Sequence, residues 1–406
     1  MSANTMEGSR LRVLLFTNLF PTPQDPTRGI FTWQLAQEIR ELCDLTVVCP
    51  LPWFPRWPIL RRFTQWYGFA LVPTEYDVRG IHVYSPKYLV LPRISEPMLG
   101  VLMFLGTLAT VWRLHRRNKF GVINPMWLYP DAVAAGWIGR LLGILVVPTA
   151  LGCDVNLFLD ERAKRGQILA LLRRSPAITA VSEELRERMV AEGIPPSRIA
   201  TTLNGVDTDL FFVRDKATAR SVLGLPAEGR AIVYVGRLSE EKGLPTLVEA
   251  ARRLHQKGRD FKLYLVGDGP LLESLRAKSG GLGLDGCVRF VGREDHHRVP
   301  VWLAACDVFC LPSVREGCPN VVLEALSCGR PVVASRVGAI PNIVRSNTGI
   351  LVDSNDADQL ATALHLALDR RWDEAQIAAS IRGFSWRRAA TKYRNAYEEA
   401  IRQQRA

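Results

Sequence analysis

Along the 406 residues, short runs of aliphatic and β-branched residues alternate with longer stretches whose apolar positions recur every three or four residues. The short runs, bounded by Gly, Pro or Asp, read as strands buried on both faces, and the longer stretches as the helices that cover them. In the first half the pattern predicts strands at LRVLLFT (11–17), DLTVVC (44–49), IHVYS (81–85), GVIN (121–124), LVVPTA (145–150) and AITAVS (177–182). A second series opens after PPSRIATTLNGVDTDLF (195–211): AIVYVG (231–236), a helix over 244–257, KLYLVG (262–267), a helix over 270–278, CVRFVG (287–292) and a helix over 298–305. It continues through DVFCLP (307–312), a helix over 320–327, PVVAS (331–335), GILV (349–352) and a helix over 356–369. Pro245, Pro270 and Pro300 fall where a helix tolerates proline, in its first turn.

This alternation predicts an α/β fold of two doubly wound, Rossmann-like domains with an interdomain cleft at the carboxyl ends of their parallel strands, where ligands bind. The turn chemistry of IPPSR and NGVD places the join near 195–207, giving domains over 1–203 and 204–384. Gly383 and Ser385 in RGFSW break the chain and cap a basic terminal helix, 385–406, expected to pack back on the first domain. The first domain would then bind the acceptor and the second a nucleotide sugar, for reasons given below.

Composition narrows the class. With 48% hydrophobic and 23% charged residues the chain has the make-up of a globular protein, not of a disordered or collagen-like one. Its eight cysteines form no C-x-x-C pair; even Cys306 and Cys310 are expected in the core, as reduced thiols of a cytosolic protein. The start, MSANTMEGSRLRVLLF, lacks the apolar core and cleavage site of a secretion signal. The net charge of +12 is uneven: residues 51–120 hold ten Lys and Arg against three acidic residues. The same stretch carries PWFPRWPILRRFTQWYGF and an uncharged run from Pro97 to Trp112, shorter than the ~20 residues that span a bilayer. Peripheral membrane contact through 51–119 is one reading, since Trp, Tyr and Arg suit a lipid interface; a buried helix beside a Pro-rich surface loop is the other. The usual nucleic-acid recognition motifs are missing from the sequence, so no nucleic-acid partner is expected.

The candidate chemistry lies in REGCPNVVLEALSCGRPVV (315–333), where seven residues separate Glu316 from Glu324. Pro319 belongs at a helix start, which puts Glu316 in a loop and Glu324 on the helix. Between them stand the unpaired N–H groups of a helix N-terminus, a natural seat for phosphate. Carboxylates suit sugar hydroxyls, so the arrangement fits a diphosphate with a sugar at each end. Cations to balance it are offered by VGRLSEEKG (235–243) through Arg237 and Lys242. That loop is not a P-loop, and VGDGP (266–270) has Leu272 where a dinucleotide fingerprint would need its third glycine. His296 and His297 are expected in a solvent-exposed loop.

In order along the chain, AVSEELRERM (180–189), NGVD (204–207), GRLSEEKG (236–243), VGDGP, DVFCLPS (307–313), REGCPNVVLEALSCGRPVVAS (315–335) and TGILV (348–352) resemble the serial motifs of glycosyltransferase family 4. RGIFTWQLAQEI (28–39), WLYPDAVAAGWIGRLLGI (127–144) and GCDVN (152–156) extend the resemblance into the first domain. It implies a GT-B fold and a retaining, metal-independent transfer of a sugar from a nucleotide-sugar donor to a hydroxyl of a glycan or lipid-linked acceptor, in surface polysaccharide or glycolipid synthesis. No cofactor is implied beyond the nucleotide sugar itself, used as co-substrate. By motif match, Glu316 contacts the transferred sugar and Glu324 the ribose, while Arg237 and Lys242 hold the diphosphate. Gly317, Cys318, Asn320 and Val321 cover the helix end, and Gly29 approaches the phosphates or sugar from the opposite domain. Asp154 either orients the site or caps the following turn. Leu151 stands where family members often carry His or Arg. A nucleotide-sugar epimerase or hydrolase of the same fold, or a catalytically silent nucleotide-sugar-binding subunit, are the alternatives. The implied location is the cytoplasm, at the inner face of the membrane.

Overall fold

The computed structural model describes residues 10–56, 67–90 and 95–405. Much of the Trp- and Arg-rich segment singled out above, 57–66, lies outside the described residues. The chain divides into two units, one formed by 1–203 with 386–406 and the other by 204–385.

The first unit is built on a six-stranded sheet with the spatial order Glu75–Val78, Ile81–Tyr84, Asp44–Val48, Arg12–Phe16, Val122–Pro125, Leu145–Val146. Its central strand is apolar on both faces: Val13 and Leu15 pack toward the helices Ile30–Leu42 and Trp386–Arg405, and Leu14 and Phe16 toward Leu99–Asn118 and Val133–Leu142. That two-sided burial is why the strand reads as a continuous hydrophobic run. The final helix presents Trp386, Ala389, Ala390, Tyr393, Ala396, Tyr397 and Ala400 to this core at three- and four-residue spacing. Tyr397 donates to Asn124 Oδ1 at 2.8 Å, giving its buried hydroxyl a partner.

Two sequence expectations need correction here. LVVPTA is not one strand: Leu145–Val146 closes the large sheet, while Thr149–Ala150 edges a separate three-stranded sheet with Ile178–Ala180 and Ile199–Thr201. Pro148 lies between the two pieces and has no N–H to continue a ladder. The large sheet is also not wholly parallel, because Glu75–Val78 pairs antiparallel with Ile81–Tyr84. The turn between them, Arg79 (φ 45°) and Gly80 (φ 83°), has the two positive φ values of a tight hairpin.

The apolar run beginning at Pro97 belongs to a helical stretch, Glu96–Asn118, that by length and composition alone could cross a membrane. One face is nonetheless part of the first unit, with Gly100, Met103, Thr107, Val111 and Leu114 buried. The other face leaves Met98, Leu105 and Trp112 exposed.

The second unit is a six-stranded, all-parallel sheet ordered Val288–Gly292, Lys262–Val266, Ala231–Val235, Val308–Leu311, Val332–Ser335, Gly349–Val352. In sequence rank this is 3-2-1-4-5-6, the doubly wound order. The order in which strands are added reverses between the parallel neighbours Ala231–Val235 and Val308–Leu311, so the loops leaving those two strands run to opposite sides and open a crevice at their carboxyl ends.

Candidate active site

Both loops at the switch point carry the residues singled out from the sequence. The first leaves Val235, turns through Gly236 (φ 155°) and a 3-10 turn, Glu240–Lys242, and ends at Gly243. The second runs from Pro312 to Pro319 and enters the helix Asn320–Ser327. The two are tied to each other, because Val314 N–H donates to the Glu241 carbonyl at 2.9 Å. Gly243 has φ 63°, and a Cβ there would stand 2.0 Å from the Pro312 carbonyl oxygen. Only glycine permits so close an approach.

That approach delivers Lys242 to the second loop. Its Nζ donates to Glu316 Oε1 at 2.7 Å, and Ser313 Oγ donates to the same oxygen at 2.6 Å. The Glu316 side chain is 8% exposed and that of Lys242 23%, so this pair is largely out of water, where charge-assisted bonds are strong. The Glu316–Gly317 backbone is braced from behind by Gly338, whose Cβ would meet the Gly317 carbonyl oxygen at 2.6 Å, and by Ala339 N–H donating to that oxygen at 2.8 Å.

Arg237 lies on the first loop with its side chain exposed. Tyr234 fixes the backbone there by donating its hydroxyl to the Arg237 carbonyl at 2.7 Å. Against the cost of its burial, the Glu241 carboxyl is held below its ordinary range by the Ser239 hydroxyl, which donates to it at 2.6 Å, with smaller help from the charges of Lys242 and Arg237. The turn at Gly267 and Gly269 lies under this loop: a Cβ at Gly267 would stand 1.9 Å from the Gly236 carbonyl oxygen, and one at Gly269 2.4 Å from that of Leu238. Those glycines exist for backbone contact.

Pro319 caps the helix Asn320–Ser327 with φ −74°, and the first N–H groups of that helix, those of Asn320 and Val321, have no carbonyl within it to bond. Asn204 holds this end in place, donating Nδ2 to Asn320 Oδ1 at 2.7 Å and to the Cys318 carbonyl at 3.3 Å. Burial pushes the Cys318 thiol up to about 12, so it carries no thiolate. One turn into the helix, Glu324 is partly buried and accepts no hydrogen bond from the described residues. Burial, assisted by the nearby Asp207 carboxylate, raises its carboxyl to about 8. A carboxyl in that condition is set to receive hydroxyl donors from a ligand.

Gly29 and Asp154 belong to the first unit, whereas Arg237, Lys242, Glu316, Gly317, Cys318, Asn320, Val321 and Glu324 belong to the second. Gly29 starts the helix Ile30–Leu42 at φ 56°, with its would-be Cβ 2.2 Å from the Leu19 carbonyl oxygen. Asp154 is fully buried, and its carboxylate collects the N–H groups of Leu128, Leu151, Gly152 and Val155 at 2.7–3.1 Å. It joins two loops as a backbone staple. His296 departs from the expectation of solvent exposure: its ring stands 5.4 Å from Phe211, edge to face, and is half-buried. The sequence reading also passed over Ser313, Asn204, Gly243 and Gly338. Asn204 and Gly243 stand inside motifs already noted, but the bonds that make them matter join segments about 70 to 115 positions apart, beyond what spacing reveals.

Comparison with known proteins agrees with this architecture. Residues 29–210 match the Glycosyltransferase Family 4 model, and residues 229–370 that of Glycosyl transferases group 1. The chain belongs to this family of glycosyltransferases and has its GT-B fold. It is 30% identical over 396 residues, 90% of each chain, to TuaC of Bacillus subtilis (strain 168), a candidate glycosyltransferase of teichuronic acid biosynthesis. To the amylovoran biosynthesis glycosyltransferase AmsK of Erwinia amylovora it is 28% identical, over 72% of this chain and 75% of that one. Among solved structures, the sucrose-phosphate synthase of Thermosynechococcus elongatus superposes with TM-score 0.75 at 21% identity, over 97% of this chain and all of that one. Anabaena HepE in complex with UDP gives 0.71 at 18% identity, covering 96% and 99%. At these identities the two structures speak for the fold.

Proposed function

We propose that this glycosyltransferase moves a sugar from a nucleotide-sugar donor to a hydroxyl of a glycan or lipid-linked acceptor with retention of anomeric configuration, in the synthesis of a surface polysaccharide or glycolipid. The reading is carried by one observation: the 2.7 Å Lys242–Glu316 pair, held by Ser313 at the mouth of a helix whose second turn bears the unpartnered Glu324. Breaking the bond to the diphosphate builds negative charge on the leaving oxygens while the sugar becomes cationic. Arg237, Lys242 and the N–H groups of Asn320 and Val321 stabilise that charge, and the backbone from Gly317 through Cys318 covers it. Because these groups are already in place, no metal is assigned to the step. Glu316 then takes hydroxyls of the transferred sugar and Glu324 those of the ribose. Leaving-group departure and acceptor attack on the same face would retain the configuration.

The test is a thermal-shift panel of UDP-, GDP- and ADP-sugars on the purified chain. One donor class should raise the melting temperature, and its sugar should then pass to a lipid-linked acceptor. If no donor binds, or if the bound donor is consumed as fast without acceptor as with it, the transferase reading of this site is lost.

The same proposal places the protein in the cytoplasm, at the inner face of the membrane. Support comes from the exposed Leu105 and Trp112 on the helix Leu99–Asn118, followed by the exposed Arg113, Arg116 and Arg117. Flotation with anionic liposomes at ordinary salt checks it, and a chain that stays at the bottom of the gradient has no such contact.

A further inference from the structure

A groove of about 520 Å³ runs between the helices Val133–Leu142 and Arg162–Leu172 of the first unit, within the range of roughly 300–1,000 Å³ usual for small-molecule sites. Its lining is mainly apolar, from Val133, Trp137, Ile144, Val146 and Leu171. Among the described residues no acidic one lines it, yet Arg140 and Arg174 do, both exposed and neither guanidinium bonded or ion-paired to any described residue. Each stands at the carboxyl end of its own helix, where the dipole favours a cation, and together they give one apolar groove two cations.

A hydrocarbon wall with paired arginines is complementary to an amphiphile with an anionic head. The groove extends to Ile144 and Ser175, just ahead of the strands Leu145–Val146 and Ile178–Ala180, and so toward the amino ends of the sheets, away from the carboxyl ends where substrates bind. Its occupant is therefore not the reacting end of an acceptor. The source of the chain follows from the neighbouring surface. The Trp137 ring packs 5.8 Å from Phe104 of the helix Leu99–Asn118, whose outer face exposes Leu105, Trp112 and arginines. We propose that this groove binds one acyl chain of an anionic membrane phospholipid, with the lipid phosphate held by Arg140 and Arg174. Only the choice of a membrane lipid as source rests on the membrane contact proposed above.

Gly166 supplies a clean test. It lines the groove from within a helix, and a Cβ there would meet nothing within 4 Å. Gly166→Leu therefore starts from an unhindered Cβ, adds bulk at the groove and favours the helix. The full chain is titrated calorimetrically with monomeric lysophosphatidylglycerol below its micelle concentration, alongside lysophosphatidylcholine and glycerol 3-phosphate. One lysophosphatidylglycerol should bind per chain, at least tenfold more tightly than glycerol 3-phosphate. Gly166→Leu should weaken it at least tenfold while the ligand-free melting temperature does not fall and nucleotide-sugar binding stays unchanged. The double variant Arg140→Ser/Arg174→Ser should erase the preference for the anionic over the zwitterionic lipid. Undiminished binding by Gly166→Leu, equal binding of glycerol 3-phosphate, or a surviving headgroup preference in the double variant each overturns the proposal. Because the lipid is monomeric, failure here leaves the liposome result standing, and failed flotation leaves this result standing.

Discussion

Replacing Lys242 with alanine separates the structural duty of the Lys242–Glu316 pair from its catalytic one. At 2.7 Å and an effective dielectric constant of ~20, the attraction between the two charges is about 6 kcal/mol before desolvation is counted. Removing one partner of a buried pair typically costs about 3–5 kcal/mol, because the other charge is left uncompensated. With Lys242 23% exposed and Glu316 8%, the lower end, about 3 kcal/mol, is expected. For a unit the size of 204–385 that lowers the melting temperature by about 6–12 °C. Catalysis should fall by about a hundredfold, the cost of removing one donor that stabilises charge building in the transition state. The double variant Lys242→Ala/Glu316→Gln should recover about 2 kcal/mol of the lost stability, since no charge is then left unpaired, but none of the lost turnover. Scanning calorimetry on the four chains of the cycle and single-turnover transfer at saturating donor measure both. Two outcomes refute the reasoning: a Lys242→Ala chain that melts within 1 °C of the parent, or a double variant that regains turnover.

Three further expectations follow from the same geometry. Ribose hydroxyls donating to Glu324 would favour its ionised form, so nucleotide binding should release a proton below about pH 8 and affinity should rise by up to tenfold per unit as pH climbs toward about 8, then level off. In the ligand-free protein the sign is opposite: the stability contribution of Glu324 is complete below the ordinary carboxylate range and is lost as pH rises through about 8. Calorimetry in buffers of different ionisation enthalpy reads the proton, and Glu324→Gln should abolish both trends. Gly243→Ala combines a strained positive φ with a clash against the Pro312 carbonyl, so a loss of more than about 3 kcal/mol in denaturant titration is expected, with turnover falling as Lys242 moves. Asp154→Ala strands the backbone N–H groups of Leu128, Leu151 and Gly152, that of Val155 keeping the Gly152 carbonyl; about 3–5 kcal/mol should be lost, and a loss below 1 kcal/mol would show the staple to be idle.

What the sequence by itself determined was local. Runs such as AIVYVG and KLYLVG are buried on both faces, so their periodicity alone identified parallel strands, and Pro319 marked the helix start between Glu316 and Glu324. The hairpin at Glu75–Ile81 is marked in the sequence only by its Arg-Gly turn, and its antiparallel pairing departs from the parallel crossovers that the alternating pattern predicts. The tertiary structure decided which residues meet. The Lys242–Glu316 bond spans 74 positions and exists because the doubly wound order sets Ala231–Val235 beside Val308–Leu311, while the Asn204–Asn320 bond spans 116 and joins the segment ahead of the sheet to the same helix end. Asp154 illustrates the same division: its sequence offered a cap or a site residue, its own turn supplies the N–H groups of Leu151, Gly152 and Val155, and only the tertiary fold adds that of Leu128. Side-chain type and spacing fix what a segment can form on its own, but the partners of a buried charge are set by strand order, which no local pattern encodes.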